Sequence, residues 1–200
     1  MKPEDIKPWC IKESTYLVKR PWLTARRDVV ELPDGRTIPE YYVLEYPDWV
    51  NVIAITRDGK FIMEKQYRHG MQCMSYELPC GVMEKGETPL EAAQRELLEE
   101  TGYGKGTWTP IIDIAQNPGS MSNMTHCFLA TDVEPIGEQH LDATEDLAVF
   151  FASRAEVMEM LQDGRIFQAL MVAPLYKYFY SMAGSQTNGS RTILGSDNEQ

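Results

Sequence analysis

Gly81-Val-Met-Glu-Lys-Gly-Glu87-Thr-Pro-Leu-Glu-Ala-Ala-Gln-Arg95-Glu96-Leu-Leu-Glu99-Glu100-Thr-Gly102-Tyr103 reads as a loop running into a helix with both ends marked. Thr88 is placed to cap the helix, Pro89 sits at the first helical position, and Glu91 completes a Thr-x-x-Glu capping box. Gly102 supplies the left-handed residue that ends it. Leu90, Ala93 and Leu97 share a stripe that can pack on a sheet, and Glu96, Glu99 and Glu100 share a neighbouring stripe at spacings of three and four.

A solvated acidic face is the ordinary meaning of such a charge run, and two physical costs count against it. Like charges three and four apart destabilise a helix by roughly 0.2–0.5 kcal/mol a pair. All three glutamates also lie in the last turns, where the helix dipole favours cations. Carboxylates set against the dipole suggest a bound divalent cation, and an all-oxygen donor set suits Mg²⁺ or Mn²⁺ better than zinc.

Working outward, residues 14–47 read as short strands. Asp34-Gly35 marks one hairpin between β-rich runs, and Asp58-Gly59 marks another between Val50–Ile55 and Lys60–Gln66. Further strands are expected at 111–115, 126–130 and 147–151. Ser153-Arg-Ala-Glu156 is a capping box opening a helix that ends at Gly164, and 167–182 has helical apolar spacing with a kink or break at Pro174. The chain therefore divides into a β-rich segment over 1–48, an α/β domain over 49–182 and a polar tail over 183–200 expected to be disordered.

The chain has 200 residues with a formal charge of −11. This acidity excludes nucleic acid and anionic membrane as main partners. It leaves room for a small anionic substrate if a cation mediates, and residues 84–100 alone carry six acids against two bases. Four cysteines without a paired spacing and three histidines without zinc spacing indicate partly buried thiols in a reducing compartment. The first residues lack the apolar core of a signal peptide and no apolar run could span a bilayer, so the expected location is cytoplasmic.

The quoted segment resembles the Nudix box: Gly, five residues, Glu, seven residues, then Arg-Glu-aliphatic-x-Glu-Glu-x-Gly-aliphatic. Gly81, Glu87, Arg95, Glu96, Leu97, Glu99, Glu100 and Gly102 all fit; Tyr103 departs, being aromatic. Seven fixed residue types would match by chance on the order of once in a million such chains. The resemblance implies an α/β/α sandwich around a mixed sheet and hydrolysis of a nucleoside diphosphate linked to another moiety. It makes Glu96, Glu99 and Glu100 the metal-binding carboxylates, with the Cys80 carbonyl as a further ligand. Glu87 would hold the loop or reach a metal through water, and Arg95 would orient the glutamates. Cations there would neutralise the diphosphate and lower the pKa of the attacking water.

Gln66-Tyr67-Arg68 with Tyr76-Glu77-Leu78-Pro79 looks like the branch acting on ADP-ribose and related nucleotide sugars, which proposes Arg68 as a phosphate contact. Pro118, fifteen residues past Tyr103, falls where that branch carries a proline, whereas the acidic residue many members have near Asn123 is absent. By the same resemblance the front segment pairs across a homodimer. Trp22, Tyr41 or Tyr42 would then stack on the adenine, or else fill the dimer or sheet core. Glu145, chosen from Asp142-Ala-Thr-Glu145-Asp146, is the expected general base. The implied reaction is Mg²⁺-dependent hydrolysis of ADP-ribose to AMP and a sugar phosphate. Rivals are a nucleoside triphosphate pyrophosphatase of the same fold, a coenzyme A pyrophosphatase and a non-catalytic nucleotide-sugar-binding regulator. The front segment and Pro118 disfavour the first, no matching upstream element supports the second, and the intact glutamate set argues against the third.

Overall fold

The computed structural model describes residues 2–188. The front segment forms an antiparallel three-stranded sheet of β1 (Cys10–Arg20), β2 (Leu23–Glu31) and β3 (Thr37–Glu45), in that order. β1 is exposed along almost its whole length. The hairpin at Asp34-Gly35 is present, with Gly35 at φ 85°.

The larger sheet is mixed. β4 (Trp49–Thr56) runs parallel to β10 (Met124–Pro135) and antiparallel to β5 (Phe61–Arg68), while β11 (Leu147–Ala152) pairs antiparallel with β5. Three short strands extend it: β6 (Cys73–Glu77) on β5, β7 (Cys80–Val82) on β4, and β8 (Tyr103–Gly104) on β10. β9 (Thr107–Ala115) also pairs with β10. β6, β7 and β8 were not expected from sequence. β7 and β8 are too short to show alternation and Cys73–Glu77 does not alternate cleanly in sequence; all three form because β5, β4 and β10 offer unpaired backbone groups to them.

Helix α1 (Pro89–Thr101) covers one face of this sheet; α2 (Arg154–Gln162) and α3 (Ala169–Asn188) cover the other. Val50, Val52, Ala54 and Ile62 pack with Ala92, Ala93 and Leu97 of α1. Ile53, Ile55, Phe61 and Met63 pack with Val157, Met160 and Leu161 of α2 and with Met171, Leu175 and Phe179 of α3. β4 is therefore buried on both faces, which explains its continuous apolar run. This is the expected α/β/α sandwich.

Four expectations are corrected. Leu90 is 38% exposed, and Ala92 takes its place in the buried stripe. At about 100° per residue, Leu90 lies roughly a quarter-turn from the centre of the face marked by Ala92, Ala93 and Leu97. Glu96 and Glu100 fall inside that face rather than beside it, and both are buried. Pro174 does not interrupt α3, which runs from Ala169 to Asn188. Its ring removes the N–H that the Leu170 carbonyl would accept from, and the buried Asn51 side-chain amide donates to that carbonyl instead at 2.7 Å. The helix also continues through 183–188 of the segment expected to be disordered; 189–200 lie outside the described residues. In that stretch Gly184 is the one strong helix breaker, and a single such glycine is tolerated.

The two sheets are joined through β3 and the turn at 117–122. Leu44 N–H donates to the Ser120 carbonyl at 2.7 Å and Ser122 N–H donates to the Leu44 carbonyl at 3.2 Å. Asn51 gives a direct stability test: Asn51→Ala leaves the Leu170 carbonyl buried without a donor. Urea unfolding should show a loss of about 1–3 kcal/mol, with Asn51→Asp no better because it too lacks the donor.

Candidate active site

The capping box forms as read. Thr88 Oγ1 accepts from Glu91 N–H, the Glu91 carboxylate accepts from Thr88 N–H, and Gly102 ends α1 at φ 74°. These ends fix the phase of the helix, and with it the direction of its acidic residues. The orphan carbonyls of its last turn are not left bare. Gln139 Nε2 donates to the Glu100 carbonyl at 2.6 Å, and His140 N–H donates to that of Glu99 at 2.7 Å. The loop that leads to Glu145 is thereby tied to the end of α1.

Arg95 organises the carboxylates. Its Nε and Nη2 fork the Glu87 carboxylate at 2.7 and 3.0 Å. Nη1 donates to Glu96 and to Glu99, each at 2.9 Å, and Nη2 also reaches the Val82 carbonyl at 3.0 Å. Glu87 further accepts from Glu84 N–H at 2.9 Å, and these contacts hold its carboxyl down to about 2. Glu87 thus spans the 84–87 loop and α1, and it shares with Glu96 and Glu99 the guanidinium that spaces them. Glu100 accepts from Cys80 N–H at 2.8 Å, bringing β7 against the same helix end.

Burial dominates the electrostatics. It pushes Glu96 up to about 7 and Glu100 well above the carboxylate range, the latter also by the neighbouring Glu64 and Glu96 charges. Glu99 remains about half exposed. Gly81 is required by close approach: a Cβ there would come within 2.1 Å of the Glu96 carboxylate. The Cys80 thiol is pushed up by burial and by the surrounding glutamates, which leaves it a poor nucleophile.

Two residues given no site role from sequence belong to this cluster. Glu77 is fully buried and grips Arg68, whose Nε donates to it at 2.8 Å and whose Nη2 makes a second contact. Glu64 is fully buried beside Glu100, and burial raises its pKa. The available signal was the alternation of β5, where Glu64 stands in the row of the core residue Ile62.

Glu145 is exposed on its loop, where its carboxylate accepts from Asp142 N–H at 2.9 Å. It lies close enough for its charge to be felt by Glu64, Glu96 and Glu100. Tyr41 edges against Trp9, with ring centroids 6.0 Å apart, and its hydroxyl donates to the Gly119 carbonyl, next to Pro118. Trp22 lies in the β1–β2 turn, 78% exposed, and Tyr42 is exposed on β3. The structure thus gathers Arg95, Glu87, Glu96, Glu99, Glu100 and Cys80, with Arg68 and Glu145 near enough for their charges to act on Glu64, and leaves Trp22 exposed in the β1–β2 turn.

The donor set fits a hard divalent cation. It is entirely oxygen, anionic in excess, and includes in Glu64 a buried carboxylate whose two oxygens meet no donor. Among the described residues no three acidic, histidine or cysteine side chains stand in finished coordinating geometry. Arg95 and Cys80 N–H draw the glutamate oxygens apart, so a cation would have to compete with them.

A model of the NUDIX domain matches residues 46–173, and one of the nucleoside diphosphate sugar hydrolase N-terminal domain matches residues 9–44. The chain belongs to the Nudix family. It is 34% identical over 141 residues to an ADP-ribose pyrophosphatase of Bacillus subtilis, covering 70% of this chain and 76% of that one. It is also 34% identical over 146 residues to a methanol dehydrogenase activator of Bacillus methanolicus, covering 72% and 78% respectively. A crystal structure of an ADP compounds hydrolase superposes with a TM-score of 0.80 at 23% identity, over 90% of this chain and 97% of that one, and shares its fold.

As a Nudix hydrolase it should show a pH signature in its metal-free form. An acid whose folded pKa is raised destabilises the fold once ionised, so stability is greatest below the unfolded value and falls as pH rises through the folded one. Between about pH 4.5 and 7, the window Glu96 defines, the melting temperature should drop, and Mg²⁺ should largely restore it at pH 7.5. Gly81→Ala should fold yet lose cation affinity, because its new methyl displaces the end of Glu96; calorimetric titration with Mn²⁺ reads this.

Proposed function

We propose that this Nudix hydrolase cleaves the diphosphate of a nucleoside diphosphate sugar, ADP-ribose first among them, to AMP and a sugar phosphate with Mg²⁺ or Mn²⁺. The observation that carries the reading is the buried glutamate cluster spaced by Arg95, in a chain whose front segment matches a nucleoside diphosphate sugar hydrolase N-terminal domain. The ADP-ribose pyrophosphatase name of the Bacillus subtilis relative supports the choice of substrate.

Glu96, Glu99 and Glu100, with the Cys80 carbonyl, would hold the cation. When bound, it neutralises diphosphate oxygens and acidifies the attacking water. Arg95 fixes the spacing of Glu96 and Glu99, and Glu87 locks Arg95 to the loop. Arg68, oriented by Glu77, presents the remainder of its guanidinium to a phosphate. Glu145 takes the proton of the water as its oxygen bonds to one phosphorus and the bridging P–O bond breaks toward the other phosphate. Tyr41, anchored on the loop of Pro118, offers an aromatic face for the base, and Trp22 comes from the same sheet at greater exposure.

The exposed β1, with Ile11, Leu17 and Val18 uncovered, is an open sheet edge suited to pairing with a second copy, and we place the active form as a homodimer. Among the described residues no helix is long and apolar enough to cross a membrane; we assign the enzyme to the cytoplasm on the sequence expectation above.

Incubation with a nucleotide-sugar panel and Mg²⁺ should release AMP from ADP-ribose, and inertness across the panel would remove the enzymatic reading. Glu100→Gln should lower kcat by two orders of magnitude or more, on the order of 3 kcal/mol of barrier, with an unchanged circular dichroism spectrum. Glu145→Gln should lower kcat about 10²–10⁴-fold; near-normal turnover would place the base elsewhere.

A further inference from the structure

β5 alternates across the sheet. Phe61 and Met63 join the core under α2 and α3, and Ile62 joins the core under α1. Glu64 falls in the row of Ile62, where that pattern calls for an apolar residue. It is fully buried, and neither of its carboxyl oxygens meets an N–H donor. Glu77 stands directly across from it in the β5–β6 register, and Glu100 reaches it from α1 within hydrogen-bonding distance. Three buried carboxylates therefore meet at one place.

The nearby cations are committed elsewhere. Arg68 is forked by Glu77, and Arg95 is shared among Glu87, Glu96 and Glu99. The Glu64–Glu100 pair is left with one donor for four oxygens, the N–H of Cys80. A buried carboxylate without donors must take a proton or face a cation. A proton shared between the two would satisfy one contact and leave the outer oxygens of Glu64 bare. A divalent cation accepts several oxygens at once and needs no donor.

We propose that Glu64 is a further ligand of the divalent cation at Glu96 and Glu100, contributed by the sheet from outside the 81–103 segment. The proposal rests on the metal reading of that segment and extends it. A ligand from β5 makes the cation a tie between α1 and the central sheet, so that binding should stiffen the junction as well as charge the site.

The test is Mn²⁺ titration followed by electron paramagnetic resonance, with thermal melts of the same samples, for wild type, Glu64→Gln, Glu64→Met and, as a charge-loss control, the exposed Glu138→Gln. Both Glu64 variants should bind Mn²⁺ about 10–100-fold more weakly and gain less melting temperature from it. Without metal they should melt no lower than wild type, since a buried carboxyl that meets no N–H donor has gone; Met matches the apolar row and guards against a variant that misfolds. Affinities within about two-fold of wild type, a lowered metal-free melting temperature for both variants, or equal weakening by Glu138→Gln would each overturn the proposal. Wild type failing to bind Mn²⁺ saturably would overturn the metal reading itself, whereas saturable wild-type binding with unaffected Glu64 variants overturns the role of Glu64 alone.

Discussion

Everything at the site depends on one guanidinium. Arg95 forks Glu87 across the loop and reaches Glu96 and Glu99 on its own helix, so it sets the distances among carboxylates that would otherwise repel. Charge-assisted, planar and always ionised, it can do what a lysine could not: hold three partners in fixed directions at once. Its fifth contact, the Val82 carbonyl, places β7 and the loop after it against α1. The Gly81 approach to Glu96 and the Cys80 N–H contact to Glu100 follow from that placement.

The surrounding fold supplies what the guanidinium cannot. β4, buried on both faces, carries α1 on one side and α3 on the other, and Asn51 on that strand repairs the defect Pro174 makes in α3. Because Glu96 and Glu100 sit inside the buried face of α1 rather than on its flank, their charge is held in low dielectric, where interaction with a cation is strong and repulsion without one is strong too. The three-stranded sheet meets this domain through Leu44 and Tyr41 on the 117–122 turn, and thereby brings an aromatic surface beside Pro118.

Much of this was legible from local pattern. Thr88, Pro89, Glu91 and Gly102 announce the helix and its phase because caps are decided by a few neighbouring residues. The glycine hairpins at Asp34-Gly35 and Asp58-Gly59 are equally local, as positive φ belongs to the residue itself. The short strands at 73–77, 80–82 and 103–104 were not legible, since each exists only because a longer strand lies alongside. Glu64 escaped because a glutamate in a strand reads as a solvent-facing residue until the helix covering it is known, and Glu77, quoted only within a motif, gains its role from Arg68 on the neighbouring strand.

The sequence by itself determined the α1 segment, the family to which the chain belongs and the identity of the glutamates that share one helix end, because all three are matters of spacing along a single stretch of chain. The tertiary structure decided which carboxylates are buried, which cations are already committed, and that β5 adds Glu64 while Glu77 of β6 grips Arg68. Those outcomes depend on register between strands and on what packs above them. Such contacts join residues distant in the chain, so no window of sequence contains them.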